Sequence, residues 1–332
     1  MADFLRRAGW SAARRAPLTS DASFRRYERL EDGDRRALMM DAPPPQENVV
    51  PFVEIDRHLR MLGYSAPEIL AEDRAAGLLL LEDFGDDTFT RLLAAGEDEQ
   101  ALYRLATDLL IDLHRRTPDE AVPAGLPAYD DDRLLNEAAL LTDWYMEAVL
   151  GAAPDAAAAR DYRELWRGVL DAARQVPESL VLRDYHVDNL MRLAGRGGVA
   201  ACGLLDFQDA LRGPVTYDLV SLIEDARRDI SDDIAGAMRR RYLDAFPDLD
   251  AASFDASMAV LGAQRHAKVI GIFTRLARRD GKPVYLAHIP RVWRLLERAC
   301  AHPALAPVRH WLDIHIPAEA RIVPRIVLKD LA

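Results

Sequence analysis

Three polar side chains in the second half of the sequence have types and spacing suited to phosphoryl transfer. Asp184 and Asn189 are separated by four residues, and Asp206 is followed by Phe207 and Gln208. A kinase needs a carboxylate near the attacking hydroxyl and two oxygen ligands that hold Mg²⁺ against the nucleotide phosphates. The kinase pattern Asp-x₄-Asn is therefore present, and the pattern Asp-Phe-Gly is present with glutamine in place of glycine.

Short predicted strands should bring these side chains together. A glycine-rich turn at 195–198 joins two of the strands into a hairpin, so the start of one strand lies beside the end of its partner. We therefore expect Asn189 and Asp206 to be neighbours, with Asp184 on the loop above them. In the alternative interpretation, all three residues only form turns at strand ends. The predicted strands are 180–182, 190–193 and 199–205.

The rest of the chain divides into a strand-rich part and a helical part. The apolar pattern predicts a hairpin over 18–41, a helix over 47–62 and a second hairpin over 69–81. The remainder has mainly helical periodicity. We predict an α+β fold with a small lobe (1–84), built from an antiparallel sheet and one helix, and a larger, mainly helical lobe (85–332). Its predicted helices are 97–116, 130–150, 156–176, 215–228, 232–245, 251–279 and 290–300.

Composition limits the classes of partner. The 332 residues carry a formal net charge of −11, which disfavours binding to nucleic-acid polymers, because phosphate backbones attract cationic surfaces. No apolar run approaches the roughly 20 residues that span a bilayer, and the N-terminus has no apolar signal-peptide core. Two cysteines provide no disulfide framework. We expect a cytoplasmic monomer that does not contact membranes.

Several segments resemble the aminoglycoside phosphotransferase family, whose members are small-molecule kinases with a protein-kinase-like two-lobe fold. The resemblance covers nearly the whole chain. It is strongest to a bacterial branch that phosphorylates the anomeric hydroxyl of N-acetylmuramate and N-acetylglucosamine in peptidoglycan recycling. The segments that carry it are SDASFRRYERL, MMDAPPPQEN, LLLLEDFGD, LRDYHVDNLM, LLDFQDALRGPVTYDLVSLIEDARRDI and QRHAKVIGIFTRLARRDGKPVYLAHIPRVW.

The resemblance implies nucleotide binding for the lobe 1–84, catalysis and substrate binding for the lobe 85–332, and roles for individual residues. Asp184 would be the catalytic base, and Asn189 and Asp206 would bind Mg²⁺. Asp218 would support the catalytic loop. The implied ATP-binding residues are Ser23, Phe24, Arg25, Met40, Glu82 and Phe84. The implied substrate-side residues, each of which could instead serve only the structure, are His186, Gln208, Asp209, Arg212, Arg265, His266 and Lys268.

One departure from the kinase template concerns the nucleotide phosphates. The template has a lysine on the third strand, paired with a helix glutamate. The first 267 residues contain no lysine, and Met39 or Met40 occupies the matching position in the strand over 36–40. Glu54 is the expected counterpart of the paired glutamate. The cation could come from Arg25, Arg26 or Arg36.

These observations predict an ATP- and Mg²⁺-dependent kinase that phosphorylates C1 of N-acetylmuramate, N-acetylglucosamine or both. Two alternatives stay open at this point. One is a kinase of the same family that acts on an aminoglycoside, choline or an amino alcohol. The other is a nucleotide-binding scaffold without catalysis, which the missing lysine would permit.

Overall fold

The computed structural model describes residues 1–18 and 24–325. In chain order the strands are β1 (Arg14–Leu18), β2 (Arg26–Asp32), β3 (Arg35–Asp41), β4 (Ile69–Asp73), β5 (Leu78–Leu81), β6 (Glu178–Val181), β7 (Leu190–Arg192), β8 (Cys202–Leu204) and β9 (Leu211–Pro214). The helices are α1 (Ala2–Arg7), α2 (Val50–Met61), α3 (Phe89–Ala94), α4 (Glu99–His114), α5 (Pro118–Ala121), α6 (Asp131–Ala138), α7 (Glu147–Leu150), α8 (Ala156–Ala173), α9 (Thr216–Ile223), α10 (Asp232–Ala245), α11 (Ala251–Arg279), α12 (Ile289–Ala299) and α13 (Ala306–His315). The predicted α+β class is confirmed.

The chain packs into two compact units. The first contains Met1–Asp112 and Leu182–Ala210, and the second contains Leu113–Val181 and Leu211–Ala332. The predicted functional lobes (1–84 and 85–332) divide the chain by role rather than by packing, so that division stays a prediction.

A five-stranded antiparallel sheet in the order β1-β2-β3-β5-β4 forms much of the first unit. Pro17 lies in β1 at the edge of the sheet, where its missing amide proton breaks no ladder. Side chains alternate between the two faces of β3. Met39 packs in an apolar cluster with Leu30 and Leu80. Met40 is therefore directed to the opposite face.

Gly77 in the β4–β5 turn permits a close approach of two backbones. Its φ is +70°, and a Cβ there would lie 2.0 Å from the carbonyl oxygen of Ala42. The Ala42 amide donates a hydrogen bond of 2.8 Å to the Gly77 carbonyl. Both the positive φ and the short distance to the Ala42 carbonyl exclude a side chain at this position.

The second unit is organised around α11. Its buried apolar residues form one large cluster that includes side chains from α6, α8, α12 and α13. A Cβ at Gly271 of α11 would lie 2.3 Å from the Leu140 backbone, so the glycine lets the long helix approach that segment closely. The segment Leu141–Met146 is a π-helical turn between α6 and α7.

The main departures from the predicted elements have local causes. The predicted helix over 130–150 is interrupted by the π-helical turn. The predicted strands do not form one patch: β7 pairs with β8, whereas β6 pairs with β9, which the sequence analysis missed because its glycine and proline disfavour strands. The short α1 and edge strand β1 were missed as well.

None of the helices in the described ranges is both long enough and apolar enough to cross a bilayer.

Asp56 is a buried carboxyl group in α2. Its exposed fraction is 0%, and neither side-chain oxygen has a hydrogen-bond partner within residues 1–18 and 24–325. Burial raises its pKa to about 7, although the charges of Arg60 and Arg57 oppose the shift and those of Glu82 and Glu68 add to it. Below its unfolded pKa the neutral carboxyl is compatible with folding. The free energy of unfolding falls as pH rises from there towards 7, because the Asp56 carboxyl ionises readily only in the unfolded chain.

We predict that Asp56→Asn stabilises the protein selectively at high pH. Because asparagine cannot ionise, the variant should melt at least about 2 °C above the native protein at pH 8, and the difference should shrink towards pH 4.5. Thermal unfolding followed by circular dichroism across this range would measure it. Asp34→Asn, at an exposed turn, is the matched control. An equal shift at both ends of the range would contradict the assignment.

Candidate active site

The β7–β8 hairpin brings Asn189 and Asp206 together. Leu190 pairs with Leu204, and the Leu205 amide donates a hydrogen bond of 3.0 Å to the Asn189 carbonyl. Asp206 is the next residue after this bond. The expected neighbourhood of Asn189 and Asp206 is therefore confirmed.

Asp184 lies on the loop that leads into β7. The loop ends in a 3₁₀ turn over Val187–Asn189, and the Asn189 side-chain amide donates a hydrogen bond of 3.0 Å to the Asp184 carbonyl. Arg183, one residue earlier, has φ 69°. A non-glycine residue rarely adopts this left-handed conformation, and such strain clusters at functional sites. Asn189 thus fixes the backbone that presents the Asp184 carboxylate.

Asp206 is also left-handed, with φ 57°. The Gln208 side-chain amide donates a hydrogen bond of 2.9 Å to its Oδ1 and a longer one of 3.3 Å to Asp209 Oδ2. Phe207 stacks on Phe52 of α2 with ring centroids 4.9 Å apart. The sharp turn at Asp206 therefore buries the ring of Phe207 and leaves the carboxylate of Asp206 accessible.

Asp184 and Asp206 are two nearby acids whose negative charges would attract a cation. The burial of its position and the charge of Asp184 raise the pKa of Asp206, although 47% of its side-chain surface stays accessible. An accessible carboxylate, a second carboxylate and the side-chain oxygen of Asn189 form an all-oxygen set of the kind that Mg²⁺ prefers. The residues present thus fit a divalent cation.

Arg25 provides a protein cation next to this set. The Arg25 Nη1 lies 3.6 Å from Asp206 Oδ1, and the Arg25 Nε lies 3.2 Å from Glu47 Oε2. Burial opposes the charge of the guanidinium, yet Tyr27, Glu47 and Asp206 together raise its pKa above the ordinary value. Burial, in turn, raises the pKa of Tyr27 against the effect of Arg25. Arg25 thus stays charged inside a partly buried network.

The other predicted nucleotide residues of the small lobe differ in their surroundings. Ser23 lies outside the described residues. Phe24 is 68% exposed. Met40 is buried and lies between Tyr27 and Leu79 across the sheet. Its apolar side chain cannot take over the role of a phosphate-binding lysine.

The segment after β5 leaves part of its backbone available. Neither the Glu82 carbonyl nor the Phe84 amide forms a backbone hydrogen bond with the part of the chain that the structure describes. The Glu82 side chain pairs with Arg196, and the Arg196 guanidinium lies 5.2 Å from the centre of the Phe84 ring. These two contacts hold the segment in place while its backbone groups remain open to a ligand.

His186 and Asp188 are held within the catalytic loop. His186 Nδ1 lies 3.9 Å from Asp188 Oδ2, and the Thr90 hydroxyl donates a hydrogen bond to Asp188 Oδ1. His186 itself is buried. The contacts of this histidine are those of a loop support, and its predicted substrate role stays a prediction.

The predicted substrate residues outside the first unit are Arg212, Arg265, His266 and Lys268. Arg212 pairs with Glu178, and Lys268 pairs with Glu137 at 3.1 Å. His266 is fully buried and lies 2.6 Å from Glu224. The other two predicted residues of this unit, Arg265 and Asp218, are also buried.

The protonation of His266 follows from its surroundings. Burial lowers its pKa against the effect of Glu224. The His266 and Arg298 side chains hold the pKa of Glu224 low against its own burial. A neutral His266 that donates from Nε2 to an ionised Glu224 satisfies both shifts. His266 and Glu224 therefore form an internal pair.

The sequence analysis predicted Glu54 as the paired helix glutamate, without assigning its partner, and did not single out Glu47. The structure places Glu54 on an exposed face of α2, and Arg25 pairs with Glu47. The apolar spacing of α2 identifies exposed positions but does not say which acid faces Arg25. The structural roles expected for Glu54 and Asp218 stay predictions.

Comparison with known proteins identifies the family. The model of the phosphotransferase enzyme family matches residues 14–254. An N-acetylmuramate/N-acetylglucosamine kinase of Caulobacter vibrioides is 38% identical and covers 96% of this chain and 97% of its own length. The kinase of the same name from Pseudomonas aeruginosa is 40% identical and covers 90% of this chain and 88% of its own length.

Solved structures agree on the fold. A choline kinase from Streptococcus pneumoniae has a TM-score of 0.60 at 10% identity and covers 87% of this chain and 94% of its own. An APH(2'')-IIa enzyme in complex with gentamicin has a TM-score of 0.58 at 14% identity, with 91% and 96% covered. At such low identity these structures show the kinase-like fold alone. The family-model match over most of the sequence and the relatives of 38% and 40% identity establish that this chain belongs to the phosphotransferase enzyme family.

Proposed function

We propose that the protein is an ATP- and Mg²⁺-dependent kinase that phosphorylates the anomeric hydroxyl of N-acetylmuramate, N-acetylglucosamine or both. The observation that carries the proposal is the hairpin-held set of Asp184, Asn189 and Asp206. The substrate class is supported by the names of relatives 38% and 40% identical over at least 90% of this chain. We place the reaction in the cytoplasm, in peptidoglycan recycling, and propose a monomer.

Asp184 has the central chemical role in this proposal. Its carboxylate orients the C1 hydroxyl and accepts its proton as the sugar oxygen bonds to the γ-phosphorus. The bond between that phosphorus and the β,γ-bridging oxygen breaks, and ADP leaves with the electron pair. An anomeric hydroxyl is more acidic than an ordinary alcohol, so a carboxylate is a sufficient base. Asn189 contributes by fixing the backbone of Asp184.

Asn189 and Asp206 would hold the metal ion. When bound, Mg²⁺ neutralises charge on the β- and γ-phosphates of the nucleotide. Gln208 holds the Asp206 carboxylate from the side by its hydrogen bond of 2.9 Å. The backbone groups of Glu82 and Phe84 have free hydrogen-bonding capacity that suits the adenine edge.

Substrate contacts remain proposals for each residue. Asp209 is exposed and lies next to the hydrogen-bonded pair of Gln208 and Asp206, which favours it as a contact for sugar hydroxyls. Arg265 and Lys268 carry charge that would suit the carboxylate of N-acetylmuramate. The internal pairing of Lys268 with Glu137 supports a structural role for that lysine instead.

The first prediction from the proposed function concerns the choice of substrate. With Mg²⁺ and ATP, the purified protein should release ADP when offered N-acetylmuramate or N-acetylglucosamine, and not with glucose, kanamycin or choline. Phosphorus NMR should show a C1-phosphate product. Turnover only with kanamycin or choline would replace the proposed substrate class. Nucleotide binding without turnover on any acceptor would favour the scaffold.

A second prediction isolates the base. Asp184→Asn should lower kcat by about 10²- to 10⁴-fold, because the amide cannot accept the hydroxyl proton. The KM for ATP should change little. Asp34→Asn, at an exposed turn, is the control for loss of one carboxylate. Full turnover by Asp184→Asn in steady-state assays would refute the assignment.

A third prediction tests the metal ligands through binding. The native protein should bind ADP more tightly with Mg²⁺ than without it, as titration calorimetry can measure. Asp206→Ala should remove most of that difference, because it deletes one of the proposed ligands. Asp34→Ala should keep it. An unchanged Mg²⁺ effect in Asp206→Ala would place the metal elsewhere.

A further inference from the structure

The structure identifies a candidate for the cation that the kinase template places on its third strand. Met40 of β3 is buried and apolar. Lys268 and Lys282 both belong to the second unit, and no lysine precedes them in the sequence. Any cation that the first unit supplies to nucleotide phosphates must therefore be an arginine or histidine.

Arg25 lies where such a cation is needed. If Asp206 helps to hold a metal ion that neutralises the nucleotide phosphates, those phosphates must lie close to Asp206. The Arg25 Nη1 is 3.6 Å from Asp206 Oδ1. Its side chain is only 13% exposed, so its charge interacts through less solvent than that of a surface arginine.

Glu47 holds this guanidinium from the other side. One of its oxygens accepts a hydrogen bond of 3.2 Å from the Arg25 Nε, and the other accepts one of 3.1 Å from the Phe24 amide. The Glu47 side chain is also 13% exposed. The Glu47 carboxylate thus holds both the side chain of Arg25 and the backbone just before it. The Arg25 Nη1 remains on the side of Asp206.

We infer that the Arg25–Glu47 ion pair replaces the lysine–glutamate pair of the kinase template, with Arg25 binding the nucleotide phosphates and Glu47 acting as its positioning residue. This inference rests on the proposed kinase function. A guanidinium is a planar fork with several donors, so it can contact two phosphate oxygens at once.

Two neighbouring arginines are weaker candidates. Arg26 is 68% exposed and pairs with Asp41. Arg36 is equally exposed, and its nearest acid is Glu31 at 3.8 Å. Arg36 also lies near the start of β3, whereas Met40 lies near its end. These arginines are therefore the matched controls for Arg25.

The test compares nucleotides that differ in their phosphates. Affinities for ADP and for adenosine, each with Mg²⁺, would be measured by competition against a fluorescent ADP analogue. The variants are Arg25→Ala, Arg25→Lys and Glu47→Gln, with Arg26→Ala and Arg36→Ala as controls. Thermal unfolding checks that each variant is folded, and steady-state assays give kcat and the KM for ATP.

We expect Arg25→Ala to weaken ADP binding by about 10- to 100-fold, the range for loss of a charge-assisted hydrogen bond. Adenosine binding should stay within twofold, because adenosine has no phosphate. Arg25→Lys should restore part of the loss. Glu47→Gln should weaken ADP binding less than Arg25→Ala does, and should add nothing in the Arg25→Ala background.

Other results would overturn the inference. One is ADP affinity that is unchanged in Arg25→Ala but reduced in Arg26→Ala or Arg36→Ala. Another is an equal loss of ADP and adenosine binding, which would indicate that the Arg25–Glu47 pair only maintains the loop. If Arg25→Ala does not fold, Arg25→Lys and Glu47→Gln carry the same comparison.

The same measurements separate this inference from the proposed function. If the native protein binds ADP but phosphorylates neither amino sugar, the proposed substrate is wrong. The ratio of ADP to adenosine affinity in Arg25→Ala still decides the role of Arg25. If the native protein turns over the sugars and Arg25→Ala keeps its ADP affinity, only the phosphate anchor is refuted.

Discussion

The hydrogen bond from the Leu205 amide to the Asn189 carbonyl is the constraint on which the candidate active site depends. It extends the β7–β8 ladder by one step and ends it between the two proposed metal ligands. Beyond it the chain turns sharply at Asp206, whose left-handed backbone carries Phe207 onto Phe52 of α2. A stacked aromatic pair of this kind contributes about 0.5–1.5 kcal/mol beyond its buried area. Backbone pairing and aromatic packing therefore fix the carboxylate of Asp206 from both sides.

Grouping carboxylates in one place has an electrostatic cost that the site must offset. Burial and the charge of Asp184 both raise the pKa of Asp206, as expected where one carboxylate lies near another. Arg25, which lies just before β2, offsets part of this repulsion by its positive charge. Glu47 keeps the arginine in place. A sequence that uses arginine almost to the exclusion of lysine thus still provides a fixed cation beside its proposed metal ligands.

Burial changes the interpretation of several charged side chains. Arg265, His266 and Lys268 follow one another closely in the sequence and are predicted there as substrate-side residues or as structural ones. In the structure all three are buried in α11, and His266 and Lys268 pair with Glu224 and Glu137. Breaking one such buried pair leaves an uncompensated polar or charged group, which is strongly destabilising. Substitutions here would therefore affect folding as well as any contact with a ligand.

The amino-acid sequence was enough to predict the α+β class and the neighbourhood of Asn189 and Asp206. Both depend on local signals: apolar periodicity, and a glycine-rich turn that sets the register of one hairpin. The tertiary packing was needed to show that Arg25 pairs with Glu47, and that the buried Asp56 carboxyl has no hydrogen-bond partner among residues 1–18 and 24–325. Arg25 and Glu47 are 22 residues apart. Glu47 lies in the loop before α2, and Arg25 lies just before β2. Their contact depends on how these two segments pack, and spacing along the chain does not encode that packing.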